Sequence, residues 1–471
     1  MNIDPLVHEI ASYVDADEVW GEEATAIAWL ALFDSLGCAM ASTRVPECMA
    51  LVEPIVPELT VRSGAHIPGT TYCVDPLSAA FGTGCLIRWL DFSDTWVALE
   101  TGHPSDHIGT ILAAAEFESK RRKAQGIKPY TLNCVLDAMI KAYEIQGVLG
   151  LTNSLSDQGY DHAAFVRVPS AAVAAKLLGG GYPHICSALS HAWCDGHPLR
   201  VYRQAPNTGS RKSWAGPDAS ARGMRLAFLA LRGEPPCGTV LTDPRWGMEA
   251  IQFGGKPFTL SRPLGSYVME NLLFKAAYPG VVHAQTALEA AINMHPLVVG
   301  RINDIERIDI WTYALAIRIT SKTGALNSPA DRDHCLQYMV ALGLLRGGLT
   351  EDDYSDAAAS DARIDSLRAK MVVHEDPRFT AGFLDPAVRS CANGIQITYR
   401  DGTMTRRIDI EQPVGHARRR AAGMPHFERK LRHNLALGLS PQQATRVLDV
   451  FSDRDKCLQM SVTDFLELFI C

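Results

Sequence analysis

The chain has 471 residues, of which 47% are hydrophobic and 21% charged, and its 45 Lys and Arg against 52 Asp and Glu give a formal net charge of −7. This composition is typical of a globular protein, and the length predicts about two or three domains. A mildly acidic chain lacks the basic surplus with which proteins bind nucleic acid or anionic membranes, so we expect neither partner. A small anionic substrate would need a locally basic site.

Helical periodicity dominates the first half of the chain. Apolar residues recur at intervals of three and four positions, and clusters of Gly, Pro and Asn separate the segments. Several segments are rich in Ala and apolar on more than one face, which predicts central helices packed on all sides. The predicted helices span residues 22–43, 76–90, 107–123, 131–149, 164–179 and 218–232.

The pattern changes after about residue 265. Residues 306–320 begin with period-two alternation, and 394–411 form two alternating runs around an Asp-Gly pair at 401–402, which predicts a hairpin. Helical spacing at 334–348 and 362–373 predicts helices on one face of a small antiparallel sheet. Three further helices are predicted after this region, at 425–437, 441–451 and 462–470.

These patterns predict a mainly α protein with a smaller α+β domain. We expect residues 1–268 to form the first part of a large helical domain, 269–412 to form an α+β lid, and 413–471 to return to the helical domain. The N-terminal segment matches neither a secretory signal nor an Arg-rich transit peptide, and the longest apolar run, 28–33, is short for a membrane span. We therefore expect a cytoplasmic protein.

Twelve cysteines are spread along the chain, and the closest two are Cys186 and Cys194. Zinc ribbons, thioredoxin-like redox sites and the usual iron–sulfur ligand runs need more closely spaced pairs. Most of these cysteines stand among apolar residues, where a free thiol packs as a small hydrophobe. We expect no metal and no other cofactor.

Titratable residues concentrate in the connection at 88–109, between two predicted helices, which includes Asp91, Thr95, His103 and His107. Loops on a rigid scaffold often carry functional groups. The two histidines have the spacing of a zinc motif, but a proline holds the place of the glutamate that the motif requires. This connection is therefore a candidate for acid–base chemistry.

Other candidates follow along the chain. His162 stands just before a helical run, and Arg211 and Lys212 lie in a loop enforced by Pro and Gly. Lys275 is embedded in apolar residues at the predicted domain junction, where an isolated lysine needs a counter-charge or a ligand. Clefts between domains are common sites for small ligands. Cations around histidines at such a junction suit a substrate that carries several carboxylates.

Seven separated blocks, in order, resemble the MmgE/PrpD family, and together they cover almost the whole chain. The blocks are WLDFSDTW with GHPSD, YEIQGVLGLTNS (143–154), APNTGSRKSWAG (205–216), GSYVMENLLFKAAYPGVVHAQTA (265–287), NSPADRDHCLQYMVALGLL (327–345), EDPRFTAGFLDPAVRSCANGI (375–395) and PVGHARRR (413–420).

The resemblance implies a helical domain built from both chain ends, an α+β lid and a homodimer. It implies a hydro-lyase that converts 2-methylcitrate to 2-methyl-cis-aconitate in propionate breakdown without a metal. By motif match, the family's catalytic groups fall on Asp91, Thr95, His103, His162, Lys212 and Lys275.

We assign hypothetical roles to these residues. One histidine would act as base and the other as acid, and the cation clamp for the substrate carboxylates would comprise Lys212 and Lys275, with Arg211 as a further substrate-binding residue. Asp91 would orient a histidine, and Thr95 would donate a hydrogen bond.

Two departures from the family pattern leave alternatives open. Thr101 stands where the family commonly has a Trp beside the histidine, and Thr312-Tyr313-Ala314-Leu315 stands where bacterial relatives usually have Thr-His-Glu-Ala. Either change could reshape the pocket, so dehydration of a citrate with a longer alkyl group in natural-product biosynthesis is one alternative. Decarboxylation of cis-aconitate and non-catalytic binding of a tricarboxylate are the others.

Overall fold

The computed structural model describes residues 3–203 and 206–471, so the first residue of the block at 205–216 lies outside the described residues. The part before the lid is almost entirely helical. Its elements are α1 (Pro5–Asp15), α2 (Glu22–Ser42), α3 (Pro46–Val52), β1 (Ala65–His66), β2 (Cys73–Val74), α4 (Pro76–Arg88), α5 (Ile108–Ala124), α6 (Leu132–Thr152), α7 (Ala163–Leu177), α8 (Tyr182–Cys194), α9 (Ala215–Leu231), α10 (Met248–Gln252) and α11 (Tyr267–Glu270).

Local sequence explains where these helices begin and how closely they pack. Asp75 caps α4 by accepting hydrogen bonds from the backbone N–H groups of Leu77 and Ser78, and a proline occupies the first position of that helix. Where α5 crosses α4, a Cβ on Gly109 would lie 2.3 Å from the Ala80 carbonyl oxygen. Only glycine permits this crossing, which fixes the helix that follows the candidate loop.

The remaining elements form the lid and then helices that return to the first part. They are α12 (Gln285–Val298), β3 (Ile305–Thr312), α13 (Ala314–Thr320), α14 (Pro329–Arg332), α15 (Leu336–Arg346), α16 (Asp356–Ala359), α17 (Ala362–Arg368), β4 (Met371–Glu375), α18 (Pro377–Leu384), β5 (Asn393–Tyr399), β6 (Ile408–Ile410), α19 (Arg420–Gly438), α20 (Pro441–Ser452), α21 (Arg454–Cys457) and α22 (Val462–Glu467).

The lid sheet has the strand order β4-β3-β5-β6. The predicted hairpin is confirmed, because β5 and β6 pair antiparallel and Gly402 between them has a φ of 81°. The prediction of a wholly antiparallel sheet is wrong: β3 and β4 are parallel, with Ile308 opposite Met371. Helices α13 to α17 cross over between these two strands, and such a crossover lets the chain return in the same direction. The predicted helix at 362–373 accordingly ends earlier, at Arg368.

Two large hydrophobic cores support the fold class. One core joins side chains between Leu6 and Ala276 to others between Phe427 and Phe469, and the second lies within residues 281–399. The division at 268 and 412 stays a prediction, and the contacts described next show only that the two chain ends meet. Lys430 of α19 lies 2.7 Å from Asp34 of α2, so these buried charges compensate each other.

Helix α2 is long and apolar enough to cross a membrane, by length and composition alone. However, 83% of its apolar window is buried inside the protein. Trp29 on this helix donates a hydrogen bond from Nε1 to the Phe451 carbonyl, 3.0 Å away. Helix α2 therefore forms a central core helix of this domain.

The cysteines are free thiols, and six of the twelve are buried, which is fewer than the majority that the sequence predicts to pack as small hydrophobes. The buried ones are Cys38, Cys48, Cys85, Cys186, Cys335 and Cys391, whereas Cys194 and Cys471 are exposed.

Candidate active site

Two distant segments meet at the junction of the helical part and the lid. Thr95 and Leu273 form an antiparallel bridge, with N–H to O distances of 2.9 and 3.2 Å. Two residues further on, the Lys275 ammonium donates hydrogen bonds to Asp91 Oδ1, at 2.6 Å, and to the Asp91 carbonyl, at 2.9 Å. The predicted lysine thus meets its counter-charge in this structure.

Asp91 adopts an uncommon backbone conformation that keeps it at the centre of this junction. Its φ is 49°, a left-handed value that Asp tolerates better than most residues. Burial would raise the pKa of Asp91, but the cations of Arg88 and Lys275 bring it well below its usual range. Burial lowers the pKa of Lys275 to about 8, despite the attraction of Asp91. The pair is therefore ionised at neutral pH.

His103 is held in one tautomer. Its Nδ1 lies 2.8 Å from the Asp94 carbonyl oxygen, and because a carbonyl can only accept, Nδ1 carries the hydrogen. Thr95 Oγ1 lies 3.4 Å from the same nitrogen. Burial, reinforced by the Arg88 and Lys275 cations, lowers the pKa of His103 well below its usual value. The ring is therefore neutral, with an unprotonated Nε2.

The loop that carries His103 is fixed by the Asp94 side chain. Its carboxyl oxygens accept hydrogen bonds from the Ser105 N–H and the Tyr143 hydroxyl, both at 3.0 Å. Burial raises the pKa of Asp94 to about 6. This residue therefore holds the loop with its side chain and orients His103 with its main chain.

His162 lies beside His103, with their ring centroids 5.7 Å apart. The Nδ1 of His162 is 3.4 Å from Asp161 Oδ1, and its Nε2 is 3.9 Å from Asp106 Oδ2. The Nε2 atom is buried and has no hydrogen-bond partner among the described residues. Burial lowers the pKa of His162 to about 3, so this ring is also neutral.

Two more histidines face this pair from the lid. His334 Nδ1 lies 2.6 Å from Asp333 Oδ1, and the Lys212 ammonium donates to Asp333 Oδ2, also at 2.6 Å. His283 shares a short hydrogen bond with the Tyr313 hydroxyl. Burial lowers the pKa of His283 to about 3 and that of His334 to about 4.

These groups line one cleft between the helical part and the lid, with about 620 Å³ of space between atoms, its mouth included. Its polar lining combines cations, carboxylates and histidines, and its apolar lining lies on lid residues and on the loop before His103. The lining residues are Asp91, Leu99, Glu100, Thr101, His103, Ser156, His162, Arg200, Arg203, Lys275, Val281, Val282, His283, Leu315, Ile319 and His334.

Four of the residues predicted for the site reach this lining, namely Asp91, His103, His162 and Lys275. Thr95 lies behind His103 and contacts its ring nitrogen. Lys212 is buried behind the lid histidine and reaches it through Asp333.

Arg211 is not brought to the cleft. Its guanidinium stacks over the Trp214 ring at 4.1 Å and lies 3.8 Å from Asp218, and its side chain is 37% exposed. The hypothesis that Arg211 binds substrate stays a prediction, with no support from its position.

Sequence reasoning missed two histidines and two arginines of the lining: His283, His334, Arg200 and Arg203. Both histidines fall inside family-like blocks, in GVVHAQTA and DRDHCLQY, and those blocks were the available signal. His283 is a lone titratable residue beside an apolar helix, so its local sequence predicts only core packing, whereas His334 follows three charged residues at 331–333.

Asp91, Asp333 and His334 each offer one possible metal-ligand atom within 4.8 Å of the others. Both carboxylates already bind cationic side chains, because Lys275 pairs with the first and Lys212 with the second. A divalent ion there would meet two ammonium groups, so this donor set suits buried ion pairs better than a metal.

Comparisons with known proteins agree with this architecture. A family model for the MmgE/PrpD N-terminal domain matches residues 8–261, and one for the MmgE/PrpD C-terminal domain matches residues 278–454. The chain is 46% identical to 2-methylcitrate dehydratase of Salmonella typhimurium strain LT2, over 100% of this chain and 98% of the relative. It is 47% identical to 2-methylcitrate dehydratase of Escherichia coli strain K12, over 99% and 97%. A mitochondrial 2-methylcitrate dehydratase of Yarrowia lipolytica is 43% identical, over 100% and 91%. The chain belongs to the MmgE/PrpD family.

Proposed function

We propose that this chain is a hydro-lyase that removes water from 2-methylcitrate to give 2-methyl-cis-aconitate, a step of propionate breakdown. Full-length similarity to relatives named for this reaction supports the substrate. The observation that carries the chemistry is one cleft in which two neutral histidines lie 5.7 Å apart and face Lys275.

The reaction removes a proton from the carbon that bears the methyl group. This carbon is weakly acidic, and it needs both a base and cations that stabilise negative charge on the neighbouring carboxylate. His103 suits the base, because its Nδ1–H is committed to the Asp94 carbonyl and its Nε2 is free to accept. Lys275 supplies a cation in the same cleft.

The departing hydroxyl needs a proton. The negative charge of the substrate carboxylates lets a nearby histidine become protonated and donate it. A tricarboxylate brings negative charge next to the histidines, and nearby negative charge raises the pKa of an imidazole. His162, whose ring is otherwise neutral, would gain a proton as the substrate binds. Arg200 and Arg203 would hold carboxylates on its side of the cleft.

The remaining predicted residues act through these groups. Asp91 fixes the Lys275 ammonium, and Thr95 contacts the His103 ring nitrogen. Lys212 holds Asp333, which in turn holds His334. These contacts position cations and rings before the substrate arrives, which reduces the reorganisation that the reaction requires.

A substrate panel tests the proposed function directly. The purified protein would be incubated with 2-methylcitrate, citrate and cis-aconitate, with ultraviolet absorbance and mass spectrometry to identify unsaturated products. We expect 2-methylcitrate to lose one water. Release of carbon dioxide from cis-aconitate, with no dehydration of 2-methylcitrate, would instead establish the decarboxylase alternative.

An apolar side of the cleft favours a second candidate, dehydration of a citrate with a longer alkyl group. Leu99, Leu315 and Ile319 line the cleft beside Thr101, whose hydroxyl donates to the Ala98 carbonyl at 3.2 Å. Leu99 is 39% exposed, so this apolar side extends to the mouth. Each added methylene that is buried there should raise kcat/KM about fourfold, from about 0.8 kcal/mol per group.

Citrates with methyl, ethyl and butyl substituents would test this candidate, with citrate as the unsubstituted reference. Leu315→Phe should reduce turnover of the longer substrates and leave citrate nearly unchanged. The matched control Leu384→Phe changes an exposed leucine outside the lining. A strong preference of the wild-type protein for methyl would reject the candidate.

We also propose a cytoplasmic homodimer. Exposed apolar side chains at Ile55, Val56 and Leu59 support an interface between subunits, because such clusters often mark association surfaces. Light scattering should give twice the 51.4 kDa chain mass. Fractionation of the source cells would test the compartment.

A further inference from the structure

Two carboxylates flank the His162 ring, one at each nitrogen. Asp161 Oδ1 lies 3.4 Å from Nδ1, and Asp106 Oδ2 lies 3.9 Å from Nε2. Both carboxylates are buried, but their surroundings differ in a way that separates their roles. This difference bears on which histidine donates the proton in the proposed reaction.

Asp161 is held firmly by cations and backbone. Arg203 binds it through Nε in a short contact and through Nη2 at 3.3 Å, and the Ala163 N–H donates to Oδ1 at 3.1 Å. Burial would raise the pKa of Asp161, but the Arg203 charge brings it below its usual range. This carboxylate is therefore ionised and held in place, 3.4 Å from Nδ1, a distance at which it interacts with the ring by charge and without a hydrogen bond in this geometry.

Asp106 is held less firmly. Its Oδ1 has no hydrogen-bond partner among the described residues, and Arg88 Nε remains 3.9 Å away. Burial raises the pKa of Asp106 to about 7. The carboxyl is packed against the start of α9, where a Cβ on Gly216 would lie 2.2 Å from Oδ2. Asp106 therefore leaves the His162 Nε2 without a committed partner.

His103 provides the contrast. Its Nδ1–H faces a neutral backbone carbonyl, whereas the Nδ1 of His162 faces a carboxylate. A carboxylate stabilises the imidazolium more strongly than a carbonyl does, because the interaction is between opposite charges. Of the two rings, His162 is therefore better placed to carry an extra proton.

We propose that Asp161, held by Arg203, is a positioning residue that directs the Nδ1–H of His162 and makes this ring the proton donor. The inference rests on the proposed dehydration. His103 takes the proton from carbon, that carbon's bonding pair forms the double bond, and the C–O pair leaves with oxygen. The His162 Nε2 proton completes the departing water, and one proton passes from His103 to solvent and from solvent to His162 to restore the enzyme.

The pH profile of Asp161→Asn reports this role. The charged groups facing His162 are Asp161, Asp106, Arg88, Arg200 and Arg203, with the His103 ring beside them. Loss of the carboxylate should lower kcat on 2-methylcitrate about 10²-fold with a smaller change in KM, and move the alkaline limb of kcat to lower pH. Asp161→Glu should recover part of kcat and the limb.

A substrate with fluorine in place of the hydroxyl separates donor from base. Fluoride leaves without a proton donor, so Asp161→Asn should lose less than about tenfold on this analogue, whereas His103→Ala should lose activity on both substrates. Asp157→Asn, an exposed acid in the preceding loop, is the matched control and should behave as wild type. Equal losses of Asp161→Asn on both substrates, or an unmoved limb, would overturn the inference.

Two further measurements distinguish the role of Asp161 from misfolding of the variant and from failure of the proposed function. If Asp161→Asn does not fold, Asp161→Glu keeps a charge for Arg203 while displacing the carboxylate, and it should still lose more on the hydroxy substrate than on the fluoro analogue. Nitrogen NMR of labelled histidine should show Nδ1–H at His162 in the wild type and mixed tautomers in the variant. An intact 2-methylcitrate in the wild-type assay would reject the proposed function, whereas the NMR result tests the Asp161 contact alone.

Discussion

The two walls of the cleft are built on different principles. On the helical wall, the groups nearest to Nδ1 of His103 and His162 are close in sequence: the Asp94 carbonyl holds His103 at 2.8 Å, and the Asp161 carboxylate lies 3.4 Å from His162. On the lid wall, His334 is fixed by Asp333, whose other oxygen binds a lysine from the helical part. The helical wall is therefore set by its own local fold, while the lid wall is completed only when the two parts meet.

Buried and half-buried polar contacts cross the junction between the walls, beside an apolar cluster that joins Val97 to Tyr313 and Phe383. Lys322 of the lid donates to Thr208 at 2.8 Å, and Asp331 accepts from the Asn207 side-chain amide, also at 2.8 Å. Burying such groups costs desolvation free energy, which the paired partners offset only when the geometry is good. The contacts are therefore weak evidence for stability, although they define how these two segments meet.

Removal of the proposed base on the helical wall, His103, should reduce activity more than any other change considered. We expect His103→Ala to lower kcat about 10³-fold or more, because general base catalysis is removed while the carboxylate-binding cations remain. Circular dichroism would establish that the variant folds. His433→Gln is the matched control, since this exposed histidine lies outside the cleft lining. Turnover of His103→Ala near the wild-type value would remove His103 from the mechanism.

Breaking the ion pair between Lys212 and Asp333, which links the two walls, should have the next largest effect. Lys212→Met leaves Asp333 buried without its ammonium, and breaking one side of a buried pair typically costs about 3–5 kcal/mol. We expect a lower Tm and a KM raised about tenfold or more, from disordering of His334. The double variant Lys212→Met with Asp333→Asn should regain Tm but not KM. A KM that recovers with Tm would assign this pair to folding alone.

Local sequence predicts the helical wall better than the lid wall. Helix α4, the loop after it and helix α5 follow one another along the chain, so Asp91 and His103 could be identified from a single dense segment. Their roles in the structure depend on short-range contacts such as the Asp94 carbonyl. Periodicity and capping signals describe interactions of this range.

Helices at Gly-rich boundaries were harder to predict. The helix predicted at 164–179 corresponds to α7, which ends at Leu177, but α8, which begins at Tyr182 with a proline in its first turn, is not among the predicted helices. One cluster of Gly and Pro can serve two helix ends, and the sequence pattern identifies only one of them. Helix α1 is not among the predicted helices either, although its buried residues follow helical spacing, at Leu6, Val7, Ile10, Ala11 and Val14.

The lid wall depends on long-range pairing that no local pattern encodes. The parallel pairing of β3 with β4 joins segments separated by several helices. Lys212 and its neighbour Arg211 lie in one loop and both are positively charged. Lys212 is nevertheless buried against the lid, whereas Arg211 stacks on Trp214. Composition cannot separate such neighbours, because the difference arises from which side of a short turn meets another part of the chain.

The Lys275 ammonium, which pairs with Asp91 at the junction of the walls, should also titrate. Burial lowers the pKa of Lys275 to about 8, so its ammonium is charged below that pH and neutral above it. We expect kcat/KM to fall about tenfold per pH unit on the alkaline side of pH 8, because the free enzyme loses a cation that the substrate carboxylates require. Lys275→Arg should move this limb to higher pH, whereas Lys256→Arg, at an exposed lysine, should leave it in place. A limb that is unchanged in Lys275→Arg would assign it to another group.

The smallest effect on activity and stability is expected at Arg211, the residue next to Lys212. Its guanidinium packs on Trp214 and lies 3.8 Å from Asp218, outside the lining of the cleft. Exposed cation–π contacts contribute only about 0.5–1 kcal/mol, so Arg211→Ala should lower Tm slightly and change kcat/KM by less than about twofold. Lys212→Met, one position away, is the comparison, since it removes a buried partner of the lid. A tenfold rise in KM for Arg211→Ala would restore this arginine as a substrate-binding residue and would require the loop to turn toward the cleft when substrate is bound.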